Sequence, residues 1–79
     1  MQITLYHFQG CPYCARVRDY LSQANIALPM KDTHANPDYR DELIKIGGKP
    51  QVPCLVVDDK AIYESLDIIE WLKKNYKAK

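Results

Sequence analysis

The sequence has few cysteines, little net charge and no long hydrophobic segment. It contains three cysteines in 79 residues, whereas a small secreted domain held by disulfides usually has an even and denser set. We therefore expect a reducing, cytoplasmic location. The net charge of +1 gives no electrostatic reason to expect a nucleic acid or an anionic membrane as partner. The longest apolar run, residues 52–57, is far too short to span a bilayer, and the first residues lack a signal-peptide pattern.

What the chain does contain is enough apolar sequence for one small globular domain. Hydrophobic residues make up 47% of it and charged residues 27%, which is typical of a folded chain. We find no internal repeat, linker or low-complexity segment. We therefore expect residues 1–79 to form a single α/β domain, and we expect it to be a monomer.

Hydrophobic periodicity and turn residues predict the element order β-α-β-α-β-β-α. The predicted strands are 2–7, 26–32, 52–57 and 61–63, and the predicted helices run over 12–24, from 36 to the glycine pair at 47–48, and from 64 to 76. The β-α-β start favours parallel neighbours with a right-handed crossover, and the last two strands favour an antiparallel hairpin. Pro29 cannot donate to a ladder, so the second strand should lie at an edge. The result is one mixed four-stranded sheet with three helices.

Helical spacing also predicts which side chains face the core. The second helix should bury Tyr39, Leu43 and Ile46, and the third should bury a stripe that includes Leu66 and Leu72. Asn36 and Pro37 are typical of a helix start, because Asn caps well and Pro suits the first helical position.

The segment Cys11-Pro12-Tyr13-Cys14 lies where the first strand turns into the first helix. Two cysteines separated by two residues at such a turn are typical of a redox site. Cys11 should lie at the helix N-terminus, where unpaired N–H groups and the macrodipole favour a thiolate. A thiolate is the form that attacks disulfides. We therefore predict that Cys11 is the nucleophile and the more exposed cysteine, and that Cys14 lies on the same face, covered by the first turn.

Other residues near the motif have more than one interpretation. His7 is either an ordinary strand-end histidine or a base for Cys11, and His34 fits a solvated loop residue. Cys54 is either a small core residue or a regulatory thiol. Cys11, Cys14, Cys54 and His7 together contain zinc-type donors, but one CxxC without a second pair is weak evidence for a metal site, and we expect no metal.

The element order and the Cys-Pro-Tyr-Cys motif resemble the glutaredoxins of the thioredoxin superfamily along the whole chain. The resemblance implies a thioredoxin-like (glutaredoxin) fold in which Pro12 and Tyr13 support the cysteine pair. Gln51-Val52-Pro53 stands where glutaredoxins have Thr-Val-Pro. The resemblance therefore implies a cis bond before Pro53. It also implies that the backbone of glutathione pairs with the backbone of Val52, in the way that an added strand pairs with the edge of a sheet. One departure is that residues 8–10 lack the basic residue that many glutaredoxins have before the motif.

The stretch from Tyr63 to Leu72 is similar to the N-terminal domain of glutathione transferases. The resemblance implies that Glu64 and Ser65 hold the γ-glutamyl end of glutathione, which agrees with the affinity of helix N-termini for carboxylates. The alternative is that they only cap the helix. By the resemblance to glutaredoxins, Arg40 is either a ligand of the glycine carboxylate of glutathione or a solvated helix residue, and Gln51 and Lys49 are weaker candidates. With no helical second domain expected after residue 79, a transferase proper is disfavoured.

These observations together predict a glutathione-dependent thiol–disulfide oxidoreductase with glutathione as co-substrate. Its partners should be disulfide-containing or glutathionylated proteins. Two alternatives stay open: a thioredoxin-like electron donor reduced by a flavoenzyme, and a metal or iron–sulfur module.

Overall fold

The computed structural model of the protein describes residues 2–76. The elements follow the predicted order, with four strands and three helices. They are β1 (Ile3–His7), α1 (Pro12–Gln23), β2 (Met30–Asp32), α2 (Pro37–Gly47), β3 (Cys54–Val57), β4 (Lys60–Ile62) and α3 (Ser65–Asn75). Within the described residues, none of the helices has the length and apolar composition that crossing a membrane requires.

The strands form one mixed sheet in the order β2-β1-β3-β4. β1 runs parallel to β2, and the β1–β3 and β3–β4 pairs are antiparallel. The predicted mixed sheet and the terminal hairpin are therefore confirmed. In the β1–β3 register Tyr6 lies opposite Cys54, so the residue that follows Pro53 is held against the centre of the sheet.

Alternate residues of the central strands belong to two hydrophobic clusters, one on each face of the sheet. On one face Leu5 and Leu55 pack with residues of α1 and α3, and on the other Tyr6 and Val56 pack with Leu43 of α2. The complete buried sets are Leu5, Val17, Leu21, Ile26, Leu55, Ile68 and Leu72 on the first face and Tyr6, Leu43, Cys54 and Val56 on the second. α1 and α3 therefore pack on the same face of the sheet and contact each other.

The predicted helix signals are confirmed at both ends of α2. The side-chain oxygen of Asn36 accepts a hydrogen bond from the Asp38 N–H at 3.0 Å, and Pro37 takes the first helical position. Gly48 ends the helix with φ of +89°, a left-handed conformation that glycine adopts without strain. Local sequence signals therefore determined where this helix begins and ends.

Three expectations on strands and burial were wrong. β2 covers only residues 30–32 of the predicted 26–32, although the Pro29 carbonyl still accepts from the Leu5 N–H at 3.0 Å. Leu66 is 64% exposed and Ile46 is 39% exposed, so neither belongs to the core. In α3 the buried positions are Ser65, Ile68 and Leu72, one helical turn apart, and this spacing turns Leu66 away from the sheet.

Candidate functional site

Cys11 is the N-cap residue of α1. Its backbone is extended, with φ of −86° and ψ of 117°, and its Sγ accepts a hydrogen bond from the Cys14 N–H at 3.3 Å. Its carbonyl accepts the first helical bond from Ala15 at 3.0 Å. The helix therefore directs an otherwise unpaired N–H group at this sulfur. Pro12 takes the first helical position, as predicted.

Cys14 differs from Cys11 in both exposure and charge. It is fully buried, whereas Cys11 keeps 6% of its surface exposed, so the expected order of exposure is found although Cys11 is more covered than we expected. Burial, and after it the hydrogen bond with Cys11, raises the pKa of Cys14 to about 12. At neutral pH Cys14 is therefore a protonated thiol beside the sulfur at the helix N-terminus.

Arg18 holds the segment that precedes the cysteine pair. Its guanidinium contacts His7 Nδ1 at 3.0 Å and donates to the carbonyls of Phe8 at 3.3 Å and Gln9 at 3.4 Å. An arginine stays charged at every relevant pH, so it is the donor to His7. Although residues 8–10 contain no basic side chain, α1 supplies a guanidinium to the same segment from its second turn.

His7 is engaged by Arg18 through the ring nitrogen that a base would use. Burial lowers the pKa of His7, and the nearby Arg18 charge lowers it further. His7 is 5% exposed, and this geometry fits a neutral histidine that anchors the loop. His34, which we expected to be solvated, is exposed but stacks on Phe8 with ring centroids 3.9 Å apart.

The peptide bond between Val52 and Pro53 is cis, as the resemblance implied. Pro53 is buried, whereas Val52 is half-buried and lies just before β3 begins at Cys54. Within residues 2–76 the backbone of Val52 makes no hydrogen bond. Its N–H and C=O are therefore available to an added strand.

Cys54 is fully buried beside Pro53. Burial raises the pKa of its thiol to about 11. Its position in the cluster with Tyr6, Leu43 and Val56 supports the interpretation of a small core residue.

A cleft of about 540 Å³ lies between the start of α1, the segment before β3 and the start of α3. It brings together six of the predicted residues: Tyr13, Gln51, Val52, Pro53, Glu64 and Ser65. It also contains four that the sequence did not identify: Arg16, Tyr63, Leu66 and Asp67. Neither Cys11 nor Cys14 lines this cleft, but Tyr13 of the same motif does.

Arg40 is the predicted contact that the cleft does not include. It is exposed on α2, whereas Arg16 of α1 brings a guanidinium to the cleft and lies 5.9 Å from the centre of the Tyr13 ring. By helical spacing Arg16 falls on the polar side of α1, where it is exposed, and the sequence carries no sign that α3 begins near it.

The start of α3 is not capped by a side chain within the described part of the chain. Glu64 is the N-cap residue but its carboxylate makes no capping hydrogen bond, and Ser65 is buried at the first helical position. The alternative that Glu64 only caps the helix therefore finds no support in the geometry. Glu64 and Asp67 give this wall of the cleft negative charge, while the first-turn N–H groups of α3 give it a positive end.

The donors that we considered for zinc do not assemble. Among residues 2–76, no three His, Cys, Asp or Glu side chains come together in a way that could hold a metal ion. Cys11 and Cys14 lie at the start of α1, whereas His7 is bonded to Arg18.

Comparisons with known proteins agree with this architecture. A model of the glutathione S-transferase N-terminal domain family matches residues 5–79. Glutaredoxin 1 of Escherichia coli is 29% identical over 85 residues, which cover 99% of this chain and 100% of that protein. Glutaredoxin 3 of the same organism is 30% identical over 60 residues, covering 76% of this chain and 72% of that protein.

Longer relatives contain the same domain as one part. Mouse prostaglandin E synthase 2 is 37% identical over 59 residues, covering 75% of this chain but only 15% of that protein. Glutathione transferase Omega 3C from Trametes versicolor superposes with a TM-score of 0.80 at 29% identity, covering 96% of this chain and 34% of that one. On the strength of the family match and the glutaredoxin relatives, the chain belongs to the glutathione S-transferase N-terminal domain family, as a glutaredoxin-like protein of the thioredoxin superfamily.

Proposed function

We propose that the protein is a glutathione-dependent thiol–disulfide oxidoreductase that reduces protein disulfides and glutathione mixed disulfides. The observation that carries this proposal is the position of Cys11. Its sulfur accepts the Cys14 N–H at the start of α1, and the cleft that Tyr13 of the same motif lines has the open backbone of Val52 on one wall and the uncapped start of α3 on the other. We propose that residues 1–79 act as one domain, as a monomer, in the reducing environment of the cytoplasm.

The reaction begins at Cys11. Its thiolate attacks one sulfur of the substrate disulfide, the S–S bond breaks, and the other sulfur leaves as a thiolate that takes a proton from solvent. With a glutathionylated protein, the products are the reduced protein and a mixed disulfide between Cys11 and glutathione. A second glutathione thiolate then attacks the glutathione sulfur, which releases oxidised glutathione and restores the Cys11 thiolate.

Cys14 serves substrates that contain an internal disulfide. After Cys11 has formed a mixed disulfide with such a protein, Cys14 loses its proton and attacks the Cys11 sulfur, which releases the reduced protein and forms the Cys11–Cys14 disulfide. Two glutathione molecules then reduce that disulfide. Because burial raises the pKa of Cys14 to about 12, Cys14 stays protonated and does not compete with Cys11 for the first attack.

The cleft offers one subsite to each part of glutathione. The cysteinyl backbone pairs with the free N–H and C=O of Val52, beside Pro53, and so directs its sulfur toward Cys11. The γ-glutamyl carboxylate meets the first-turn N–H groups of α3 and Ser65, and its ammonium meets Glu64. Gln51 remains the candidate within the cleft for the glycine carboxylate, and Arg40 is a candidate from outside it.

Substitution of the α3 residues tests this proposal. Glu64→Ala and Ser65→Ala should each raise the KM for glutathione about 5- to 30-fold, the equivalent of about 1–2 kcal/mol for a lost polar contact to a charged group. Glu70→Ala is the matched control, because Glu70 is an acidic residue of the same helix outside the cleft. If the KM is the same in all three variants as in the unmodified protein, glutathione does not bind here.

The choice of reductant distinguishes the proposed glutathione-dependent enzyme from the thioredoxin-like alternative. The absence of a basic residue at positions 8–10 is the feature that favours a flavoenzyme over glutathione. Turnover with glutathione and glutathione reductase, at a rate that saturates with glutathione, supports the proposal. Turnover with a thioredoxin reductase and none with glutathione refutes it.

A further inference from the structure

Tyr63 connects the two walls of the cleft. It lies between β4 and α3, directly before Glu64, and its hydroxyl donates a hydrogen bond to the Lys49 carbonyl at 3.1 Å. The Lys49 ammonium lies over the Tyr63 ring, 4.5 Å from its centre. Lys49 begins the segment that leads to Val52 and Pro53, so one side chain holds both the segment before β3 and the start of α3.

Gly47 leaves the space that the Tyr63 ring occupies. A Cβ atom at Gly47 would lie 1.8 Å from the Tyr63 hydroxyl oxygen and 2.7 Å from the ring carbon that bears it. These separations are far below van der Waals contact, so no side chain at position 47 is compatible with the present position of Tyr63. The end of α2 and the ring of Tyr63 are therefore fitted to each other.

We propose that Tyr63 is a positioning residue that sets the separation between the Val52 backbone and the Glu64–Ser65 pair. This inference rests on the proposed binding of glutathione in the cleft. Glutathione must reach from Val52, where its cysteinyl part pairs, to the start of α3, where its γ-glutamyl part binds. A hydrogen bond between Tyr63 and Lys49 fixes that span before the ligand arrives, which lowers the cost of ordering the site on binding.

The hydroxyl keeps its donor role over a wide pH range. Burial raises the pKa of Tyr63, and the nearby Cys54 raises it further. The hydroxyl therefore stays protonated at neutral and mildly alkaline pH, and the contact to the Lys49 carbonyl persists where thiol exchange is fast.

Tyr63→Phe removes this hydroxyl and keeps the ring. We expect the KM for an S-glutathionylated peptide to rise about 2- to 10-fold, as the loss of one neutral hydrogen bond would produce. The kcat at saturating peptide should stay within about twofold, because Cys11 and Cys14 are untouched. The rate at which dithiothreitol reduces the Cys11–Cys14 disulfide should be unchanged, since dithiothreitol has no γ-glutamyl group to bind.

Tyr20→Phe is the matched control. Tyr20 is a partly buried tyrosine of α1 outside the cleft, and its hydroxyl makes no hydrogen bond within residues 2–76. This variant should leave the KM for the peptide unchanged. Tyr63→Leu provides a second, larger change at the same place, and it should raise the KM further while the dithiothreitol rate stays constant.

Two results overturn the inference. An unchanged KM in Tyr63→Phe and Tyr63→Leu shows that Tyr63 does not set the span, even if the unmodified protein uses glutathione normally. A parallel fall in the glutathione and dithiothreitol rates shows a general structural role instead. If the unmodified protein does not turn over the glutathionylated peptide at all, the proposed function itself fails, and that failure is visible before any variant is compared.

Discussion

Replacing Gly47 with alanine tests the contact between α2 and Tyr63 most severely. The added Cβ would lie 1.8 Å from the Tyr63 hydroxyl oxygen and 3.1 Å from the Cβ of Ala61. Because Ala61 is paired with Val56 in the sheet, the Tyr63 ring must give way, and its hydrogen bond to the Lys49 carbonyl must lengthen or break.

The free energy of unfolding should fall in this variant. Alanine in a helix is favoured over glycine by about 1 kcal/mol, but position 47 is the last residue of α2, where the gain is smaller. This gain is opposed by an overpacking cost of about 1–3 kcal/mol and by the loss of a hydrogen bond, which costs about 0.5–1.5 kcal/mol. We expect a net loss of about 1–3 kcal/mol, and each kcal/mol lowers the Tm of a domain of this size by about 4–8 °C.

Gly48→Ala separates crowding from backbone strain. Gly48 has φ of +89°, and a Cβ atom added there would meet no other atom within 4 Å. Alanine at this position should therefore lower the free energy of unfolding only through the penalty for a left-handed backbone, about 1–2 kcal/mol. Both variants should lose stability in urea unfolding, but only Gly47→Ala should also raise the KM for a glutathionylated peptide. If Gly47→Ala is as stable as the unmodified protein, or more stable, the fitted contact with Tyr63 does not exist.

Three further predictions concern buried or charged side chains. The pKa of His7 is lowered in the folded protein, so the free energy of unfolding should be highest above about pH 6.5 and should fall as the pH drops below that value. His7→Gln should remove part of this pH dependence, which urea unfolding at a series of pH values measures. Cys54 should resist alkylation in the folded protein at neutral pH, and Cys54→Ala should keep thiol exchange while losing stability; rapid alkylation of Cys54 would contradict its burial. Arg16→Ala should raise the KM for glutathione more than Arg40→Ala does, because Arg16 lines the cleft and Arg40 does not; the reverse order would favour Arg40, the candidate from outside the cleft, as the ligand of the glycine carboxylate.

Much of the fold could be predicted because its signals are local. Asn36 and Pro37 mark a helix start through their own hydrogen-bonding and backbone properties, and the structure places α2 where they indicate. Pro12 does the same for α1. The cis bond at Pro53 was not visible in composition or spacing; the resemblance to glutaredoxins supplied it.

The parts that could not be predicted depend on contacts between distant segments. Arg18 fits the exposed side of a helix by spacing, yet it holds the loop before Cys11 because α1 packs beside that loop. Leu66 fits a core stripe by composition, but α3 presents Ile68 and Leu72 to the sheet and leaves Leu66 in the cleft. Tyr63 carried no signal, because its contact with Lys49 appears only when β4 lies beside the end of α2.

The central claim is that Cys11 is the nucleophile of a glutathione-dependent reaction and Cys14 the resolving thiol. The direct measurement is the rate of two reactions, removal of glutathione from a peptide and reduction of a protein disulfide, in Cys11→Ser and Cys14→Ser with glutathione as reductant. We predict that Cys11→Ser loses both reactions, because the thiol that remains at the start of α1, Cys14, is buried and protonated. Cys14→Ser should keep the first, which a second glutathione completes, and lose the second. Loss of both reactions in Cys14→Ser, with either one retained in Cys11→Ser, would show that the roles are reversed.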